Sequence, residues 1–112
     1  MADMKRWEIW EADVPFEENK GHKKRPVLIL SEKEAIVFSL KMTSHDARYH
    51  KLEGEYEIMK WEEAGLKKPT VIQCSKRLQL KKEAFTGIQY GRLAATDIIG
   101  IQTMLQYMSI KD

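Results

Sequence analysis

The chain has 112 residues, 43% of them apolar and 32% charged, with a formal net charge of +2. That length suits one domain with a single compact core, and that composition excludes wholesale disorder. No apolar run approaches the length of a membrane span, and a single cysteine, Cys74, rules out an internal disulfide. Residues 1–6 carry no apolar stretch of the signal-peptide kind, so the reading is one cytoplasmic domain over residues 1–112.

Charge is unevenly placed. Lys20, Lys23, Lys24 and Arg25 stand together with His22. Residues 64–82 hold Lys67, Lys68, Lys76, Arg77, Lys81 and Lys82 without one acid. A nearly neutral total that conceals such segments favours a polyanion on one face, unless acidic segments interleave with them in space.

Residues 7–16 alternate, with Trp10, Ala12, Val14 and Phe16 on one side and Glu11 and Asp13 on the other. That period predicts a half-buried strand, and Pro15 suits an edge or a strand end. Residues 17–24 are polar, contain Gly21 and read as an exposed loop. Residues 25–31 form a short run that is apolar on both sides, as in a buried central strand. After a tight connection, residues 35–42 alternate again, and residues 45–54 read as a polar loop. Residues 56–59 read as a short strand, and 61–66 as one helical turn closed by Gly65. Residues 70–80 alternate, with Ile72, Cys74, Leu78 and Leu80 expected on one face and Gln73, Ser75, Arg77 and Gln79 on the other. Residues 85–93 read as turn-rich because of Gly87 and Gly91. Ile98, Ile101, Met104, Leu105 and Met108 then form a helical stripe, opened near Ala94 or Thr96 with Asp97 at its positive end. The order is that of a mainly β protein with a C-terminal helix: about five strands curved into a small barrel on which the helix packs.

Glycine-rich phosphate loops, Cys-x-x-Cys, His-Glu-x-x-His and Gly-x-Ser-x-Gly are all absent from the sequence. His45, Asp46 and His50 cluster, but their spacing fits no common metal template. Cys74 falls on an apolar face and reads as core. The tryptophans read as packing residues, although Trp10 or Trp61 is also placed to stack on a base. What remains converges on phosphate. Arg25 opens a strand, Thr43 and Ser44 end the next, and Arg77 projects from a third, with Lys24 and His45 alongside. Guanidinium and hydroxyl groups together bind a phosphodiester and stabilise charge developing on it without a metal. Cleavage of RNA also needs a base for the ribose 2′-hydroxyl, for which Asp46, His45 and His22 are the candidates.

At these residues the chain resembles the MazF/PemK family of toxin endoribonucleases. The resemblance rests on the aromatic first strand, Arg25-Pro26-Val27-Leu28-Ile29-Leu30, Thr43-Ser44, the segment from Trp61 through Ala64-Gly65-Leu66 to Pro69-Thr70, and Gly91-Arg92-Leu93 before the helix. It implies an SH3-like barrel of five to seven short strands, a homodimer and an antitoxin partner. It also implies metal-independent, sequence-selective cleavage of single-stranded RNA to a cyclic phosphate, with no cofactor. Arg25 and Thr43 carry over as catalytic residues, with Ser44, Arg77, Lys24 and His45 binding substrate. Where PemK-like toxins place an acid two residues after a later-strand arginine, Arg77 is followed by Gln79. That departure keeps a second reading open, a non-catalytic module on the same barrel that binds RNA or protein.

Overall fold

A computed structural model describes residues 4–16, 20–44 and 53–111. Six antiparallel strands run β1 (Glu8–Pro15), β2 (His22–Lys33), β3 (Ile36–Ser44), β4 (Glu55–Glu57), β5 (Thr70–Lys81) and β6 (Phe85–Arg92). Helix α1 (Ala95–Lys111) follows. The strands form one open sheet in the order β4-β5-β3-β2-β1-β6. The mainly β fold with a C-terminal helix is therefore present, as a bent sheet whose edge strands β4 and β6 do not hydrogen-bond to one another.

Both faces of the sheet are buried, which explains why β2 lacks alternation. Leu28 packs with Ile9, Leu40, Met42, Ile72 and Cys74 on one side, while Val27 and Ile29 pack with Trp10, Ala12, Val14 and Val37 on the other. The helical stripe lies on the first of these clusters. Ile101 is fully buried there, with Ile98, Met104, Leu105 and Met108 packed around it. Complete burial of one such side chain is worth about 2 kcal/mol.

Three expectations change. Residues 85–93 are not turn-rich but form β6, paired with β1 through Glu8–Arg92, Ile9–Gly91, Trp10–Gln89 and Ala12–Phe85. Its glycines mask a strand whose existence depends on that partner. The loop read over residues 17–24 stops short of His22, because His22, Lys23 and Lys24 extend β2 opposite Pro15, Val14 and Asp13, with Pro15 ending β1 as its sequence allows. In β5 the register with β3 jumps from Gln73 opposite Lys41 to Arg77 opposite Leu40, leaving residues 74–76 without a β3 partner. An odd insertion reverses the faces. Ile72 and Cys74 consequently enter one core cluster while Leu78 and Leu80 pack in the other.

Asp97 does more than sit at the positive end of the helix. Fully buried, it accepts hydrogen bonds from the Tyr56 hydroxyl at 2.7 Å and from the Met59 and Lys60 backbone N–H groups at 2.9 Å each. It thereby ties α1 to the turn that follows β4. Burial and the Asp97 carboxylate together raise the Tyr56 pKa well above its ordinary value. The turn closes at Gly65, with φ +90°, as its sequence predicts. It then lies backbone to backbone on β6. A Cβ at Gly65 would fall 1.9 Å from the Tyr90 carbonyl oxygen, and one at Gly91 would fall 2.2 Å from the Ala64 carbonyl oxygen. Two glycines thus let the connection from one sheet edge reach the other.

Candidate functional site

The β2–β3 ladder runs inward from Val27 opposite Lys41. Outside that pair, a pocket of about 270 Å³ is lined by Lys24, Arg25 and Pro26 from β2 and by Met42, Thr43 and Ser44 from β3. The far wall comes from the glycine-locked turn and its neighbour: Leu66, Lys67, Lys68 and Thr70, with Tyr90 of β6. Lys23 completes the rim. Arg25, Thr43, Ser44 and Lys24, chosen from sequence, meet here. Arg77 does not line the pocket. The three-residue bulge carries it along β5 to a position opposite Leu40, where it is exposed. His45, Asp46 and His50 lie outside the described residues.

The pocket is strongly basic. Lys23, Lys24, Arg25, Lys67 and Lys68 all reach it, and among the described residues no Asp or Glu lines it. Among the described residues no carboxylate pairs with any of these five cations. Arg25 Nε is buried and, among the described residues, has no hydrogen-bond partner. A buried unpaired donor costs about 1–3 kcal/mol, more when charged, and an acceptor that reaches it removes that cost. Guanidinium also matches the oxygens of a phosphate in a way that a lysine point charge does not.

Lys67, Lys68, Thr70 and Tyr90 escaped the residue-by-residue reading. The lysines had a signal in the acid-free segment 64–82, but their convergence on Arg25 depends on Gly65 and Gly91. Tyr90 had none, because its strand was hidden. Its hydroxyl donates to Glu11 Oε2 at 2.9 Å, and Thr86 donates to Glu11 Oε1 at 2.9 Å. Burial first, then the Glu11 hydrogen bond and charge, push the Tyr90 pKa up to about 12.

The other candidates take structural places. Trp10 is buried and donates its indole N–H to Glu8, so it offers no face to a base. Trp61 packs half-buried against the core. Cys74 is fully buried, as expected. His22 is exposed, with Nδ1 2.6 Å from Asp13. Among the described residues no three His, Cys, Asp or Glu side chains gather as a metal site.

Fold and pocket define a class: a small, mainly β domain with a basic, hydroxyl-lined cleft suited to a phosphate group. The chain belongs to the PemK-like, MazF-like toxins of type II toxin–antitoxin systems, whose family model matches residues 5–109. In fold it is similar to a mycobacterial endoribonuclease solved in complex with its cognate antitoxin, with a TM-score of 0.70 and 17% identity over 92% of this chain and 91% of that one. It is also similar to the Mycobacterium tuberculosis toxin MazF-mt6, with a TM-score of 0.61 and 21% identity over 86% and 91% of the two chains. No curated protein sequence matches the chain significantly. Among the described residues no helix is long and apolar enough to cross a membrane.

Proposed function

We propose that the protein is an endoribonuclease toxin that cuts single-stranded RNA at the Arg25 pocket, acting in the cytoplasm as a homodimer held in check by an antitoxin. The observation that carries the reading is Arg25, its Nε buried and without a hydrogen-bond partner among the described residues, lining one cleft with Thr43, Ser44 and four lysines. Family membership supports it, as does the antitoxin named with the mycobacterial neighbour.

In this reading the lysines draw in the backbone, and Thr43 and Ser44 hold the non-bridging oxygens of the scissile phosphate. The ribose 2′-oxygen attacks phosphorus as its O–H bond breaks and the proton passes to a base, forming the P–O2′ bond while the P–O5′ bond breaks. Arg25 stabilises the charge that builds on the equatorial oxygens and supplies the proton taken by the leaving 5′-oxygen, recovering it from solvent. The products are a 2′,3′-cyclic phosphate and a 5′-hydroxyl. Short-sequence selectivity comes from bases seated beside the pocket.

A second reading has its own support: no carboxylate or imidazole lines the pocket among the described residues, and a module that only binds RNA needs none. One experiment separates the two. Purified protein and Arg25→Ala are each incubated in EDTA with a long single-stranded RNA. Cleavage by the wild type, reduced at least ~10²-fold in the variant, fits the loss of a transition-state donor. Salt-sensitive binding with no cleavage above the variant's background establishes the binding module instead.

A further inference from the structure

An RNA-cutting pocket needs somewhere to put the 2′-hydroxyl proton, and among the described residues its polar lining side chains are all cations or hydroxyls. Tyr90 differs. Its own proton is committed to Glu11 Oε2 at 2.9 Å, which leaves lone pairs on the hydroxyl oxygen of a residue that lines the pocket. Thr70 is similarly committed, but to the Lys68 carbonyl at 2.8 Å, a group that cannot keep a proton. Glu11 can. Thr86 donates to its other oxygen, so both carboxylate oxygens are held and the side chain is fixed against β6. Nothing at the level of sequence links Glu11 to this site: it lies 79 residues from Tyr90 and does not line the pocket itself.

We propose that Tyr90 accepts the 2′-hydroxyl proton of the bound ribose while passing its own proton to Glu11, making Tyr90 a catalytic residue and Glu11 the positioning residue that stores the proton. The inference rests on the endoribonuclease reading of the pocket. As the P–O2′ bond forms, the 2′ O–H bond breaks and a new O–H bond forms on Tyr90. The original phenolic proton moves to Glu11 Oε2, which becomes a neutral carboxylic acid. Tyr90 is neutral before and after, in keeping with a hydroxyl whose pKa is pushed up to about 12 and which therefore resists standing ionised. Glu11 then releases the proton to solvent. The relay involves no redox change and no co-reactant.

The test compares Glu11→Gln, Tyr90→Phe, the double variant and Glu11→Asp on a long single-stranded RNA in EDTA. Each of the first two is expected to lower kcat by roughly 10²–10³-fold, the range for lost general-base catalysis, with KM within about threefold of wild type. The double variant falls no further than either single one, because both remove the same relay. Glu11→Asp keeps a proton store and recovers at least about tenfold over Glu11→Gln. Rates within about threefold of wild type overturn the relay, as does a rise in KM at unchanged kcat, which marks Tyr90 as a mere RNA contact. Equal losses in Glu11→Gln and Glu11→Asp, with matching drops in unfolding midpoint, also overturn it by assigning Glu11 a structural role. A wild type that binds RNA but does not cut it overturns both the relay and the endoribonuclease reading. A wild type that cuts beside variants that cut equally well overturns the relay alone.

Discussion

Arg25 and Cys74 show how one protein sets opposite demands on two polar side chains. Arg25 lines a basic pocket with its Nε buried and, among the described residues, without a hydrogen-bond partner, a position that costs stability unless an acceptor meets it. Arg25→Lys keeps the charge but loses the planar fork. The expected result is roughly a 10–100-fold fall in kcat with RNA affinity changed only a few-fold, read from single-turnover cleavage and from binding measured in parallel. Cys74, by contrast, is buried in the core, and burial pushes its pKa up to about 11, partly opposed by the Arg77 charge. A thiol that ionises later in the folded state than in the unfolded one, where its pKa is 9.0, contributes its full stability below pH 9. That contribution is lost as pH rises through about 11. The urea midpoint should therefore be lower at pH 10.5 than at pH 8, and Cys74→Ala should flatten the difference. An equal pH dependence in the variant contradicts the assignment.

At the scale of elements, the pocket is made by a turn that two glycines allow to touch β6. Gly65 has φ +90° and would place a Cβ 1.9 Å from the Tyr90 carbonyl oxygen, whereas Gly87 has φ +91° with nothing within 4 Å of its Cβ. The two substitutions thus separate backbone strain from steric exclusion. Gly87→Ala should cost about 1 kcal/mol, and Gly65→Ala roughly 3 kcal/mol or more together with loss of the Lys67–Lys68 wall, measured by urea unfolding and by RNA binding. Equal costs for the two contradict the idea that close approach positions the wall. These elements also mark what sequence can carry. Arg25 and Thr43 were legible as neighbours because consecutive antiparallel strands put the start of one beside the end of the next. The bulge at 74–76 was not, since alternation continues through it in residue type while the faces reverse. That is why Arg77, plausible by pattern, stands away from the pocket. Strand β6 was hidden for a related reason: its pairing partner is β1, at the opposite end of the chain, and local composition is dominated by Gly87 and Gly91.

Across the whole molecule, a formal charge of +2 conceals five cations converging on one cleft. Sequence supplied the two basic segments, and folding decided that they meet rather than cancel. Such a surface predicts salt-dependent RNA affinity, with log K falling against log salt at a slope of roughly −2 to −3 for three or four phosphates. Replacing Lys67 and Lys68 together should reduce that slope by about 1.4, and an unchanged slope contradicts their placement at the RNA. In the proposed function Arg25 stabilises the breaking of an RNA phosphodiester. Mapping the ends of a long single-stranded RNA after incubation in EDTA tests it most closely. The wild type is expected to give cuts clustered at one short sequence, with cyclic phosphate ends, and Arg25→Ala near-background ends. Indistinguishable end maps from the two proteins would contradict it.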